Sequence, residues 1–239
     1  MIKNPTIFFG KAADFPVSFK DVPAFTLFLE QLAEKINIQQ LTISHQIHSI
    51  NGRIVTKQPQ LRPVLVDYKS QDGDYLITRD RGVAIAVLTA DCLPLIFYAP
   101  DKQVIAAAHA GWKGSVAGIG AVVIEHLIHE FGIDIKQLKI WFGPAGGACC
   151  YEVKDDFIVA LEKALENKNA TASLIKERDG KIFFDNGELN RQQLIATGVN
   201  ENNIDRTNNH CTICNQEYHS YRRAIDKTQY FTQATIVWI

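Results

Sequence analysis

Long apolar runs are missing from this chain, and so is any marked excess of charge. No apolar stretch in its 239 residues approaches the roughly 18 that a membrane-spanning helix needs. The 25 basic and 26 acidic side chains give a formal net charge of −1, which provides no electrostatic attraction for nucleic acid or an anionic membrane. Residues 1–5 lack the charged and apolar regions of a signal peptide. We therefore predict a cytoplasmic protein with no nucleic-acid and no membrane partner.

Sulfur-containing residues are few, and their numbers restrict the chemistry. Five cysteines, an odd number at modest density, favour reduced thiols or metal ligands over a disulfide framework. The single methionine is Met1, so the usual axial ligand of a blue-copper site is missing, and seven histidines are too few to supply a multicopper cluster as well. The hydrophobic content of 46% nevertheless predicts a well-filled globular core.

The segment 83–115 contains two apolar runs, each adjacent to residues capable of chemistry. The runs 93–99 and 103–108 are bounded by turn residues, a pattern typical of strands buried on both faces. The turn 99–102 between them has proline at its second position and predicts a hairpin in which Ala99 faces Lys102. In that register Cys92 and His109 are directly opposite, with Cβ atoms roughly 5 Å apart. A thiol and an imidazole at this separation are able to share a metal ion or a proton.

Two more histidines occur in the segment 41–54, which we interpret as extended. His45 and His48 would then face opposite sides of the strand, so at most one of them joins a given site. With His48 as a third ligand, Cys92 and His109 would form a one-Cys, two-His set with an open fourth position, the ligand number of catalytic zinc. The same donors suit copper. A metal-free alternative has Cys92 as a nucleophile and His109 as its base, which would make a hydrolase.

Three charged residues near these motifs are candidates for further roles. Asp91 precedes Cys92 and is able to orient a ligand imidazole, to move a proton or to cap a turn. Arg222 and Arg223 are able to bind phosphate or carboxylate, and an outer salt bridge is an equal alternative.

The glycine-rich segment 111–115 (GWKGS) precedes a predicted helix over 116–131, with Ser115 as the N-cap and Gly132 at the end. Free backbone N–H groups at this helix start, together with Lys113, favour an anion. A capped turn with Trp112 packed on the sheet explains the segment equally well. It is not a nucleotide-binding P-loop, because the spacing GxxxxGK[ST] is absent.

A second group of possible ligands is the segment 210–214 (HCTIC) with His219. A CxxC pair flanked by histidines is compatible with structural zinc, but the second ligand pair of a zinc ribbon or knuckle is missing. We therefore interpret Cys211 and Cys214 as ordinary buried thiols. Cys149 and Cys150 are adjacent, so they cannot easily bridge each other.

Hydrophobic periodicity predicts a mixed α/β (α+β) protein without repeats or a linker, hence a single domain, 1–239. The predicted helices are 22–36 capped by Asp21, 116–131, 151–167, and 188–197 capped by Asp185. The other predicted elements are strands at 6–9, 75–78 and 139–142, a strand ending at 184, a closing strand over 232–239, and a loop over 58–64.

At these residues the chain resembles the YfiH-like, or laccase-domain, family. The matching motifs run in the family's order from about residue 44 to 225: QIH (46–48), DGDYLIT (72–78), TADCLP (89–94), AHAGWKG (108–114), GP (143–144), CYEV (150–153), NRQQL (190–194), CT (211–212) and SYRR (220–223). Two departures stand out. Residues 8–11 (FFGK) lack the arginine of the family's Thr-Arg-Gly-Gly stretch, and Lys-Thr-Gln at 227–229 replaces its usual Gly-Arg. We therefore divide the domain into a divergent part, 1–40, and a core, 41–239. At the two departures we assign no substrate or anion contact from the family to this chain.

The resemblance implies a layered sandwich of buried β-sheets covered by helices, with zinc on His48, Cys92 and His109. It also implies phosphorolysis of adenosine, inosine, guanosine or methylthioadenosine and deamination of adenosine, so that the partners would be purine nucleosides and phosphate, in a monomer or homodimer. We assign catalytic roles to the three ligands and Asp91, and anion binding to Lys113, Arg222 and Arg223. The older family label, copper-dependent polyphenol oxidase, is the alternative, and the deaminase signature H-x-E with P-C-x-x-C is absent.

Overall fold

The computed structural model describes residues 4–59, 65–165 and 172–239. Most of its elements are apolar strands or capped helices. The strands are β1 (Thr6–Phe9), β2 (Gln40–His45), β3 (Gly52–Ile54), β4 (Leu65–Asp72), β5 (Tyr75–Thr78), β6 (Val83–Thr89), β7 (Leu93–Ala99), β8 (Val104–Ala110), β9 (Lys139–Phe142), β10 (Glu152–Val153), β11 (Ile175–Arg178), β12 (Lys181–Phe184), β13 (Ile204–Asp205) and β14 (Gln233–Trp238). The helices are α1 (Val22–Lys35), α2 (Trp112–Val116), α3 (Ile119–Phe131), α4 (Asp155–Leu165) and α5 (Asn186–Ala196), with 3₁₀ turns at Ala12–Asp14 and Glu201–Asn203.

Two large sheets stack face to face between helices. One has the strand order β1-β14-β6-β2-β4 and the other β13-β9-β7-β8-β5-β3, while β10, β12 and β11 form a small third sheet. Side chains from β6 and β14 meet those of β7 and β8 in the inner layer, among them Ile85, Val237, Ile96 and Ile105. Helix α1 covers the outer face of the first sheet, and α3 covers that of the second. Strands β6, β7 and β8 are buried along their whole length, because each is covered on both faces.

This architecture confirms the predicted mixed α/β layered sandwich, and three predicted helix ends are confirmed as well. Asp21 accepts a hydrogen bond from the backbone N–H of Ala24, and Asp185 accepts one from Glu188, so each satisfies a free donor in a first helical turn. Gly132 ends α3 in the left-handed conformation at φ +60°, which costs glycine little. Among the described residues, no helix combines the length and the apolar composition needed to cross a bilayer.

The predicted register of the central hairpin is wrong by two residues. Ala99 pairs with Val104, so the turn contains four residues instead of two, and Gln103 leaves it at φ +53°. His109 therefore faces Pro94, and Cys92 lies diagonally from it just before β7 begins. Because side chains alternate with a period of two, a two-residue shift keeps the same faces, and the thiol and the imidazole still meet.

Three other element predictions are corrected. The segment 41–54 is not one strand, because β2 ends at His45 and a loop precedes β3. The helix expected at 116–131 begins earlier, at Trp112, and is interrupted at Gly118 (φ +79°), so Ser115 lies inside α2 and caps nothing. The helix expected at 151–167 begins at Asp155, since β10 occupies 152–153; its predicted last residues, and 60–64 of the predicted loop 58–64, lie outside the described residues.

Candidate metal centre

Two connections between strands and the end of β8 bring His48, Cys92 and His109 together. His48 lies in the loop after β2 at φ +61°, Cys92 in the bend between β6 and β7, and His109 near the end of β8. The Cys92 Sγ is 3.8 Å from the His48 Nε2, and the candidate ligand atoms of all three residues lie within 4.8 Å of one another. The two imidazole rings are nearly perpendicular, at 80°, with centroids 4.8 Å apart. The loop frees His48 from the strand geometry that we expected, which is how it reaches the site.

Asp74 positions both histidines. It is fully buried, and its Oδ1 accepts hydrogen bonds from the His109 Nδ1 at 2.8 Å and from the His48 backbone N–H at 3.0 Å. Its Oδ2 accepts from the backbone N–H and hydroxyl of Ser49 at 2.6 and 2.7 Å. The bond to Nδ1 sets the tautomer of His109 and leaves its Nε2 free to ligate, as carboxylates commonly do behind metal-binding histidines.

The sequence matched residues 72–78 to a family motif without indicating this role for Asp74. The available signal was a carboxylate directly before the buried strand β5, because a charge at such a position needs a partner. Gly111 shows how tightly the ligand set is packed. A Cβ on Gly111 would be 2.8 Å from the His48 Cδ2 and 3.2 Å from the Cys92 Sγ.

Electrostatics favour a thiolate–imidazolium pair at this site. Burial would raise the pKa of the Cys92 thiol, but the charge of His109 and hydrogen bonds from both imidazoles outweigh it and lower the pKa to about 6. Burial would likewise lower the pKa of His109, but the Cys92 thiolate and the bond to Asp74 raise it to about 9. Burial opposes ionisation of Asp74 too, and its bonds to His109 and Ser49 lower its pKa overall.

This pair predicts a pH profile for alkylation of the metal-free protein. Because its pKa is lowered to about 6, Cys92 should be a thiolate above that pH, and the ion pair should persist until His109 deprotonates near pH 9. We expect the iodoacetamide rate at the Cys92 peptide to reach half its maximum near pH 6, instead of the roughly 8.5 of an ordinary cysteine. His109→Gln should move the midpoint toward that ordinary value, and a wild-type midpoint already there would contradict the pair.

The donor set fits a zinc ion. Two imidazoles and a thiolate are ligands that zinc prefers, three protein ligands leave its fourth position open, and the carboxylate of Asp74 supports one of the histidines. Copper accepts the same donors. The predicted ligands His48, Cys92 and His109 are thus the residues that the fold brings together.

Asp91 does not contact an imidazole, contrary to one of its predicted roles. It is buried at φ +83°, its Oδ1 accepts from the Thr212 hydroxyl at 2.6 Å, and its Oδ2 accepts from the Arg222 backbone N–H at 2.7 Å. Its own carbonyl accepts from the Gly146 N–H at 2.8 Å. Asp91 therefore fastens two loops beside Cys92, which matches the turn-capping alternative, while Asp74 orients the histidine.

The predicted anion-binding cations lie outside the cleft at the ligand set. Lys113 is exposed, with its Nζ 5.7 Å from the Trp112 ring centroid. Arg222 stacks on Tyr151 at 4.6 Å and donates to the Glu152 carbonyl.

Arg223 donates to four backbone carbonyls, those of Thr212, Ile213, Asn215 and Tyr218. It therefore organises the loop 212–218. No described salt bridge uses Arg223, so the outer salt bridge considered above is not its role.

The cleft at the ligand set has a volume of ≈ 590 Å³, within the usual range for small-molecule sites. His48, Cys92 and His109 are among its lining residues. Aromatic rings and cations line it too, namely Phe19, Tyr221, Tyr230, His45, Lys69 and Lys227. The sequence assigned no role to Lys69, and Lys227 was noted only as part of the departure at 227–229, because the two residues approach the site only through the folding of segments about 160 residues apart.

The fold places a second pair of cysteines beside the CxxC pair, which the sequence had left without partners. Cys149 and Cys150 lie beside Cys211 and Cys214, and all four Sγ atoms are within 4.8 Å of one another. The interpretation of Cys211 and Cys214 as ordinary buried thiols is corrected accordingly. Of the flanking histidines, His219 contacts the Phe15 carbonyl through Nε2 at 3.0 Å, and His210 stacks on Tyr218.

Comparisons with known proteins identify the family of this chain. A family model described as "Multi-copper polyphenol oxidoreductase laccase" matches residues 26–239. A Borreliella burgdorferi protein named "Purine nucleoside phosphorylase" is 35% identical over 170 residues, covering 70% of this chain and 69% of that protein. "Adenosine deaminase RL5", from an unknown prokaryotic organism, is 30% identical over 180 residues, covering 75% and 68%.

Among solved structures, the Bacillus licheniformis protein YfiH superposes with a TM-score of 0.75 at 24% identity, covering 90% of this chain and 80% of that one, which supports the fold. The resemblance found in the motifs is confirmed by these matches. With the family model spanning nearly the whole described sequence, the chain belongs to the laccase-domain, or YfiH-like, family.

Proposed function

We propose that the protein is a zinc-dependent purine nucleoside enzyme, which phosphorolyses adenosine, inosine, guanosine or methylthioadenosine and deaminates adenosine. The observation that carries the proposal is the placement of His48, Cys92 and His109 in a cleft lined by aromatic rings and cations. The names of the Borreliella burgdorferi phosphorylase and of adenosine deaminase RL5 support the substrate class.

His48, Cys92 and His109 would hold the zinc ion, with Asp74 fixing the ring of His109. A zinc ion bound there would supply Lewis acidity. The thiolate of Cys92 and the neutral imidazoles are the forms that ligate. The lowered pKa of Cys92 favours zinc binding at neutral pH, whereas the raised pKa of His109 opposes it, so binding would release the proton of His109.

The walls of the cleft offer one set of side chains for the purine and another for phosphate. Tyr221 and Tyr230 pack edge to face with centroids 5.0 Å apart and add aromatic surface to the cleft, which favours a purine as the ligand. Lys69 and Lys227 add positive charge, which favours inorganic phosphate as the second substrate. Lys227 is held near the cleft by bonds to the carbonyls of Tyr221, Arg222 and Ala224.

In phosphorolysis, a phosphate oxygen bonds to C1′ of the ribose, and the bond from C1′ to the purine nitrogen breaks. The purine leaves with that electron pair and takes up a proton. His45 lines the cleft, and its Nδ1 is 2.9 Å from Asp72, which supports the ring as a proton donor through its other nitrogen. Lys69 and Lys227 would stabilise the attacking phosphate electrostatically.

The decisive assay incubates the purified protein with adenosine, with and without phosphate. Inosine formed without phosphate indicates deamination, and adenine formed only with phosphate indicates phosphorolysis. We expect removal of zinc by a chelator to abolish both products and added zinc to restore them, because the proposal places Lewis acidity at the reacting centre. Activity unchanged after complete zinc removal would instead support the Cys92–His109 hydrolase.

The polyphenol oxidase alternative differs from the proposed function in requiring copper. The single methionine is Met1, which lies outside the described residues, and the three-ligand set lacks the axial sulfur of blue-copper sites. We therefore expect copper to support at most slow phenol oxidation. Phenol oxidation faster with copper than nucleoside turnover with zinc would reverse the assignment.

A further inference from the structure

Four cysteines from two distant segments meet outside the cleft. Cys149 and Cys150 follow the glycine-rich loop after β9, and Cys211 and Cys214 form a CxxC pair 61 or more residues later. Their Sγ atoms all lie within 4.8 Å of one another, and those of Cys149 and Cys214 are 3.9 Å apart. All four are free thiols, and two of them are exposed.

The spacing suits a single tetrahedral ion. Zinc–sulfur bonds of about 2.3 Å at tetrahedral angles place neighbouring sulfurs about 3.8 Å apart. The 3.9 Å between Cys149 and Cys214 matches that value closely. It is far longer than a disulfide bond of about 2.0 Å. Four cysteine ligands with no open position are the composition of a structural zinc site.

A backbone N–H group donates a hydrogen bond to one of the sulfurs, as backbone N–H groups do to the thiolate ligands of bound metals. The Gly147 N–H donates to the Cys211 Sγ at 3.3 Å. Such bonds disperse the negative charge of a thiolate ligand. The glycine loop packs closely on the cysteines, since a Cβ at Gly147 would be a tight 3.3 Å from the Cys211 Cβ and in van der Waals contact with the Cys149 Sγ at 3.5 Å.

We propose that Cys149, Cys150, Cys211 and Cys214 bind a structural zinc ion, distinct from the ion at Cys92. The neighbouring histidines take no part, because His219 is bonded to the Phe15 carbonyl and the exposed His210 stacks on Tyr218. The site does not depend on the proposed nucleoside chemistry.

The tetrathiolate site would fasten the two loops that hold Asp91. Ala145 forms an isolated parallel bridge with Cys211, and the Thr212 N–H donates to the Ala145 carbonyl at 2.9 Å. Thr212 lies between the two cysteines of the CxxC pair, and its hydroxyl donates to Asp91. An ion joining Cys149 and Cys150 to Cys211 and Cys214 would therefore brace the bend that carries Cys92.

The zinc content of the wild type and of variants at each site distinguishes the two metal sites. We expect about two zinc ions per chain in the full-length protein by mass spectrometry, and about one after either Cys92→Ala or the double change Cys149→Ser and Cys214→Ser. His210→Ala, beside the CxxC pair, is the matched control and should keep both ions. A wild-type content of one zinc ion that Cys92→Ala removes would overturn the proposal, and so would iron in place of zinc.

Two measurements cover the case in which the serine variant fails to fold. Cobalt bound to Cys92→Ala should show the intense sulfur-to-cobalt charge-transfer bands of four thiolates, and their absence would overturn the proposal. Alkylation of the denatured wild type with chelator but without reductant should label all five thiols. A disulfide between Cys149 and Cys214 would show instead that the cluster is a redox pair.

Discussion

Cys92→Ala is expected to abolish turnover and to leave the fold intact. The change removes the anionic ligand of the three-residue set, whose ligand atoms lie within 4.8 Å of one another. Because Lewis-acid stabilisation contributes several kcal/mol, we expect kcat/KM to fall on the order of 10³-fold or more. The removed side chain is small and lies in a bend at the rim of the sheet, so the metal-free variant and the metal-free wild type should have similar circular dichroism spectra and thermal midpoints. The measurement is the adenosine assay combined with metal analysis.

Cys92→Asp is the companion variant, because it retains an anionic zinc ligand without a thiol. We expect it to bind zinc and to recover part of the activity if Cys92 acts as a ligand. A Cys92→Asp enzyme that binds zinc and is inactive would assign the thiol a nucleophilic role. A fully active Cys92→Ala enzyme would remove the residue from the mechanism altogether.

Asp74→Asn should have the next largest effect, on both metal affinity and stability. The carboxylate accepts bonds from His109, His48 and Ser49 in a fully buried position. An amide offers one acceptor oxygen, so its NH₂ group would face backbone donors and leave them unpaired. Loss of the partner behind a ligand histidine typically lowers metal affinity roughly 10- to 100-fold. The lost charge-assisted hydrogen bonds should lower the free energy of unfolding by about 1.5–3 kcal/mol.

Asp72→Asn is the matched control, since it removes the same charge two residues away. The side chain of Asp72 is 64% exposed and bonds only the half-exposed His45 among the described pairs, so its loss should cost at most about 1 kcal/mol. Zinc affinity is measured by competition with a chromophoric chelator, and unfolding by denaturant titration. Equal zinc affinities for the two variants would contradict the positioning role of Asp74.

Patterns among neighbouring residues were sufficient to predict the buried strands and the helix caps. Leu93–Ala99 matched its predicted bounds, and Asp21, Asp185 and Gly132 mark helix ends through contacts within a few residues. The hairpin register failed because a two-residue and a four-residue turn both accommodate a proline at this position. Only the pairing of Ala99 with Val104 decides between them.

The sequence also identified His48, Cys92 and His109. Cys92 and His109 lie beside turns that border apolar runs, whereas His48 was named as an available third ligand and through the family resemblance. The partners of these residues were not predictable in the same way. Asp91 and Asp74 both precede functional segments, and nothing local distinguishes the carboxylate that holds loops from the one that holds an imidazole.

By itself the sequence determined the buried strands, the helix ends and the three metal-ligand candidates, because these depend on neighbours along the chain. Only the tertiary structure decided that Asp74 supports His109, that Lys69 and Lys227 share the cleft, and that four cysteines form one cluster. The physical reason is that hydrogen bonds, charge and metal coordination act over a few ångströms of space, whatever the separation along the chain. Cys149 and Cys214 are 65 residues apart in sequence and 3.9 Å apart at sulfur.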